Sequence, residues 1–393
     1  MADLLERHTP TAGAGAAPLV DADRAAAMPS PAVRHSLRAA WAAARAGGWR
    51  LAMLPLLAAA LFAAIVLATA IGAVAISPLH TAAILLNQTR LFHFAPSWPR
   101  SDEIILLQLR LPRVAGAALV GAALGVSGAL FQGLLRNPLA DPLLLGSSAG
   151  AALGATLSFL LPAAFTAELF GFSLVTVAAF VGALLAVALV YRLATRHGQT
   201  PVVTLLLAGV AITSILAAAQ TLLVTLNDRL ALRITSLYLW NAGGVAVRGW
   251  AQVQVVLALV LVGVAGALYL APALDAFALG EGMAAHLGVR VERAKLSIVA
   301  IASLLVAAAV SISGLVSFVG LVSPHFARLL LGPRNRLLVP ATALLGALFV
   351  VLADLLARTL AAPAELPLDV ITALVGAPFF LSLLRYAGQR YRW

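Results

Sequence analysis

A chain of 393 residues in which 62% are hydrophobic and only 10% are charged has too little polar surface for a water-soluble domain, since such domains carry about a quarter charged residues. The net charge of +11 comes from arginines set between apolar runs, without aromatic–basic interleaving, so it points to a membrane and away from nucleic acid. The absence of cysteine removes disulfides, thiolate metal sites and cysteine nucleophiles together.

Residues 1–49 are rich in Ala, Pro and charge and show no sustained apolar period, which predicts a disordered tail ahead of one membrane domain at 50–393. The first apolar run, 51–76, exceeds the ~7–15 residues of a signal-peptide core and begins too late for one, so it reads as a span. At about 20 helical residues per crossing, further spans are expected near 113–135, 143–162, 173–192, 202–226, 250–272, 295–312, 314–331, 338–357 and 368–386. The fold class is therefore all-α integral membrane with ten transmembrane helices. A very short turn at 311–314 is the tightest junction.

With both termini cytoplasmic, Arg90, Arg100, Arg110, Arg113, Arg229, Arg233, Arg248 and Arg358 fall outside, and the other 18 of the 26 basic residues fall inside. The bias obeys the positive-inside rule and places a multi-pass protein in the cell inner (cytoplasmic) membrane. The outer eight still require a cause. Gly121 with Gly125, and Gly146 with Gly150 and Gly154, recur every four residues, a spacing that lets helix backbones approach closely in lipid. A faint internal echo links GVSGALFQGLLRNPLADP (125–142) to SISGLVSFVGLVSPHFARLLLGP (311–333).

No GxxxxGK[ST] phosphate loop, HExxH motif, i,i+4 histidine pair or Ser/His/Asp set is present, and Lys295 is the only lysine. Catalysis and a resident metal are not expected. Ion coupling calls for ionisable groups at mid-membrane, but the deepest carboxylate, Asp354, has Arg358 one helical turn away, which predicts an ion pair instead of a proton relay. The energy for transport must then come from another chain. A secondary transporter and a membrane scaffold remain as the competing classes.

The stretch LRLPRVAGAALVGAALGVSGALFQGLLRNPLADPLLLGSSAGAALG (109–154) closely resembles the FecCD-type permeases, the membrane subunits of ABC importers for ferric siderophores, haem and cobalamin. LLLAGVAI (205–212), FALGEGMAAHLG (277–288), GLVSFVGLVSPHFARLLLG (314–332) and ADLLARTLAAPAELPLDVITALVGAPFFLSLL (353–384) continue the resemblance in order. It implies the type II ABC importer permease fold and two permease subunits, a homodimer being favoured. It further implies an ATPase dimer that binds ATP and Mg on one side, and a periplasmic substrate-binding protein on the other. No cofactor is implied in this chain, and lipid surrounds it.

The resemblance also assigns residues. Arg110, Arg113 and Arg358 match arginines that meet acidic residues of the binding protein, although interfacial anchoring by snorkelling is an alternative. Leu279, Gly280, Glu281, Met283, Ala284, Ala285, His286, Leu287 and Gly288, within 278–295, match the loop that docks into a groove of the ATPase. Asn137, Pro138 and Leu139, with Val202 and Val203 in the segment 199–204, match the cytoplasmic gate. The expected cargo is an iron chelate, a ferric siderophore first and haem second, with cobalamin carried by the same mechanism as the alternative. No pair of His or Tyr is placed to ligate iron.

Overall fold

In lipid every backbone polar group must be satisfied within the protein, and this chain meets the demand almost wholly as helix. The computed structural model describes residues 48–72, 76–88, 93–95, 97–161, 168–169 and 171–390; residues 1–47 of the expected tail, and Arg90, lie outside them. The helices of six or more residues are α1 (Gly48–Ala70), α2 (Pro78–Gln88), α3 (Arg100–Leu135), α4 (Ser147–Phe159), α5 (Leu174–Ala194), α6 (Val202–Leu226) and α7 (Ile234–Asn241). They continue as α8 (Trp250–Phe277), α9 (Glu281–His286), α10 (Val291–Ser313), α11 (Val319–Leu331), α12 (Asn335–Thr359) and α13 (Leu368–Arg390). A small antiparallel pair, β1 (Glu168–Leu169) and β2 (Phe172–Ser173), precedes α5.

Ten of these helices fall on the ten expected runs, and the protein is a multi-pass, all-α membrane protein. Seven of them, α1, α3, α5, α6, α8, α10 and α12, are long and apolar enough to cross a bilayer. The structure departs from expectation at α4 and α11, which have 13 residues each and reach only ~20 Å at 1.5 Å per residue. Both begin inside the bundle. A Cβ at Gly320, the second residue of α11, would lie 2.5 Å from the Pro142 ring and 2.9 Å from the Leu124 carbonyl oxygen. Leu124 is 11 residues before the end of α3, about 16 Å along the axis. The segment 136–146 therefore climbs back roughly half the bilayer instead of turning at its surface.

Irregular backbone at this depth persists only where its polar groups find partners in the protein. Asp141 accepts a bond from the Leu143 amide and starts the 3-10 turn Pro142–Leu145, and Asn137 accepts from the Leu139 amide. In the extended segment before α11, the Ser317 amide and hydroxyl both donate to Asp369, at 2.8 and 2.6 Å. Phe318 takes a left-handed conformation (φ +65°), and its ring occupies space that Gly376 of α13 leaves open.

The core is built on α3, which packs against α8, α10, α11 and α12. An 18-residue stretch of α3 is 78% buried, against 17% for α6. Gly121 and Gly346 bring the backbones of antiparallel α3 and α12 into contact, Gly125 lies on Thr342, and Gly150 and Gly154 of α4 lie on Gly182 and Ala178 of α5. Gly146 differs from the expectation: it precedes α4 in a left-handed conformation (φ +84°) and makes only ordinary contacts. Its place in the four-residue series was coincidental, because a 3-10 turn and not a helix carries it.

The two echoing segments meet directly. Gly128 packs on Gly320, and Pro324, which has no amide hydrogen, leaves the Gly320 carbonyl without its helical partner. The Gln132 side-chain amide donates to that carbonyl at 3.2 Å, while its oxygen accepts from Arg328. The helix α3 itself starts 13 residues earlier than the expected 113, through a π-helical turn at Ile105–Arg110; charges between 100 and 110 hide it in the sequence.

Candidate functional site

The two ends of the bundle carry different chemistry. At one, here the arginine end, α1 finishes with carbonyls that have no amide one turn ahead. Arg110 donates to the Thr69 and Ala70 oxygens at 3.0 and 2.9 Å, and Arg358 donates to the Ala68 oxygen at 3.0 Å. Arg233 does the same for α4 through the Phe159 oxygen at 2.8 Å. A guanidinium fits a helix C-terminus because the macrodipole is negative there. Arg113 from α3 bonds Asp354 at 3.1 Å and makes a bidentate pair with Glu365, both bonds at 2.9 Å. Asp354 holds Arg358 with its other oxygen at 2.9 Å, as the i,i+4 spacing predicts.

Arg110, Arg113 and Arg358 thus converge at one place, bound within the chain. Arg248 lies 3.7 Å from Glu168, with both side chains largely exposed. Five of the eight arginines that opposed the charge bias therefore have internal partners, three of them as caps of helix C-termini. This capping role leaves one signal in the sequence, that each capped helix would end at that face.

Glu365, in the loop before α13, has its carboxyl held below the usual range, first by the hydrogen bond from Arg113 and then by the charges of Arg113 and Arg358. A depressed pKa contributes stability that is present above the unfolded glutamate value of about 4.3 and is lost as pH falls through the folded value. Melting temperature in detergent is thus expected to fall more steeply for the native chain than for Glu365→Gln between neutral pH and pH values below that range. Equal slopes would show that the pair adds nothing.

At the opposite, lysine end, α9 is framed by Gly280 (φ +102°) and Gly288 (φ +85°). Leu279, Met283 and Leu287 are 66, 52 and 60% exposed, and Ala285, His286 and Gly288 are also exposed. Ala284 is fully buried and packs into the core, so it differs from its neighbours in having no surface to offer a partner. Glu281 turns inward to Lys295, at 2.7 Å. Lys295 also bonds Glu292 at 3.1 Å and the Thr200 oxygen at 2.9 Å. Thr200 closes a hairpin in which Arg196 and Gln199 pair across His197 and Gly198, both at positive φ, the geometry that two-residue hairpin turns require.

The chain stretches that follow the two expected gate segments come together further in. Asn137 and Pro138 are exposed and Leu139 half-buried, and the chain that follows places the Leu144 oxygen and Leu145 against Gly209 of α6. Val202 is half-buried and Val203 is 67% exposed at the start of that helix. The open face of α6 continues with Leu207, Val210, Ile215 and Leu222, interspersed with exposed Ser214, Thr221 and Thr225. Those hydroxyls donate to carbonyls one turn back, at 3.0, 3.0 and 2.9 Å. No charged residue occurs in α6. Among the described residues no group of three His, Asp or Glu is placed to hold a metal.

The FecCD transport family model matches residues 60–386. The chain is 44% identical over 287 residues to the cobalamin import system permease protein of Halobacterium salinarum, covering 73% of this chain and 75% of that protein. It is 43% identical over 287 residues to the hemin transport system permease protein of Yersinia pestis, covering 73% and 85%. A solved metal-chelate type ABC transporter in an inward-facing conformation superposes with a TM-score of 0.72 at 29% identity, over 85% of this chain and 99% of that one. A ten-helix membrane bundle with these matches belongs to the FecCD transport family.

Proposed function

We propose that this chain is the permease subunit of an ABC importer in the inner membrane, that two copies enclose the pathway, and that the cargo is an iron chelate. The observation that carries this reading is the open face of α6. It is apolar and hydroxyl-bearing, it has no charge, and its hydroxyls are already bonded to its own backbone. A surface of this kind lets a large solute slide past without binding it tightly. It offers no counter-charge to the two propionates of haem, which favours a neutral ferric hydroxamate siderophore over haem. Cobalamin, with a carboxamide periphery, is the second reading, favoured by the 44% identical relative.

The lysine end faces the cytoplasm in this reading, as do both termini. The exposed apolar side chains Met283 and Leu287 on α9 then enter a groove of the ATPase, since an apolar pair in water wants a partner. At the arginine end an acidic side chain of the periplasmic binding protein competes with Glu365, whose side chain is 55% exposed, for the bidentate face of Arg113. The gate comprises Asn137, Pro138, Leu139, Val202 and Val203, at the starts of the climbing segment 136–146 and of α6.

The test is reconstitution of the permease with its ATPase in liposomes, with loaded binding protein outside the face it docks on. Loaded binding protein is expected to raise ATP hydrolysis and to deliver ferric hydroxamate, with haem and cobalamin run as competitors. Uptake that persists with a hydrolysis-dead ATPase would overturn the importer and favour a secondary transporter.

A further inference from the structure

We infer that Lys295 is a positioning residue that joins α9 and the hairpin 195–200 into one body, so that a displacement of α9 is delivered to the start of α6. This inference rests on the permease reading above. Lys295 is 3% exposed, and an ammonium has three hydrogens to place. All three have acceptors, and each acceptor comes from a different segment. Glu281 Oε2 belongs to α9 (2.7 Å), Glu292 Oε1 to the first turn of α10 (3.1 Å), and the Thr200 oxygen to the end of the hairpin (2.9 Å).

The second oxygen of Glu292 accepts from the Thr200 amide at 2.9 Å, so both polar groups of that peptide strand are fixed by the cluster. Thr200 is itself buried, and its hydroxyl lies 2.9 Å from that of Thr195 at the hairpin's other foot. Pro201 and α6 follow at once, with exposed Val203 three residues beyond Thr200. Lys295 is the buried centre of the cluster, with Glu281 and Glu292 37 and 34% exposed at its edge. A buried ammonium whose hydrogens are all bonded holds its acceptors in place until it is removed. The residue that no motif explained, the sole lysine, thus lies between the exposed docking helix and the helix whose open face carries the cargo.

The absence of cysteine makes the test clean, because Gly282→Cys on α9 and His197→Cys in the hairpin accept spin labels without background; both positions are exposed, and nothing lies within 4 Å of a Cβ at Gly282. The distance between the labels is expected to be narrow and unchanged between nucleotide-free and ATP-bound complex. Lys295→Met is expected to broaden it and to lower transport per ATP hydrolysed by about fivefold or more, with basal hydrolysis and complex assembly retained, and Lys295→Arg to restore both readouts. Glu281→Gln, which detaches only α9, is the second variant if Lys295→Met does not fold. Either readout left unmoved overturns the inference. If the native complex neither hydrolyses ATP nor transports, the permease reading falls instead, and the label distance on the permease alone still decides whether Lys295 joins the two segments.

Discussion

Asp354→Ala is expected to lower the unfolding free energy in mixed micelles by about 3–5 kcal/mol, the usual cost of removing one partner from a buried ion pair. Asp354 is 1% exposed, and its two oxygens serve two arginines, Arg113 at 3.1 Å and Arg358 at 2.9 Å. Removal leaves two guanidinium groups at a protein end with little water to solvate them. Arg113 retains Glu365, which draws the loss toward the lower figure, whereas Arg358 also loses the restraint that aims it at the Ala68 carbonyl. The double variant Asp354→Ala/Arg358→Met is expected to recover part of the loss, because it removes a stranded charge. A single-variant loss below about 1 kcal/mol, the range of solvated pairs, would show that the cluster is wetter than its burial indicates.

Gly121→Leu is expected to abolish the folded, monodisperse protein altogether. A Cβ at this position overlaps the Gly346 carbonyl and falls 2.9 Å from the Ala347 Cα, and the obstacle is backbone, which has no rotamer to yield. Close packing is what holds helices together in lipid, and α3 and α12 form the centre of this bundle. Gly121→Ala already adds the overlapping Cβ, and because the obstacle is backbone it is expected to cost about 3 kcal/mol or more, at or above the usual range for an overpacked core. Gly282→Ala is the control, since nothing lies within 4 Å of that position. Size-exclusion profiles of the three variants in detergent test the order, and a monodisperse Gly121→Leu would refute the packing.

Long apolar runs made α1, α5, α6, α8, α10 and α12 legible, because twenty apolar residues have few other fates. The half-length of α4 and α11 was not legible. PLLLG before α4 and GLVSF before α11 are as apolar as helix, and what separates them from it is backbone conformation at Gly146 and Phe318 and burial against distant helices. The first two turns of α3 were hidden for the opposite reason, since Asp102, Glu103 and Arg110 give a span the look of a loop. At the candidate site, local spacing predicted the Asp354–Arg358 pair. Arg113–Asp354 and Lys295–Thr200 join residues 241 and 95 positions apart and leave no trace in a single sequence.

That separation sets an order of events during synthesis. Arg110 finds the α1 carbonyls 40 and 41 residues behind it, already made when α3 emerges. Arg113 must wait 241 residues for Asp354, which at ~5–20 residues per second is about 12–48 s. Through that interval its charge has only the headgroup layer to reach for, and the nascent bundle is held open at one corner until α12 inserts and closes it.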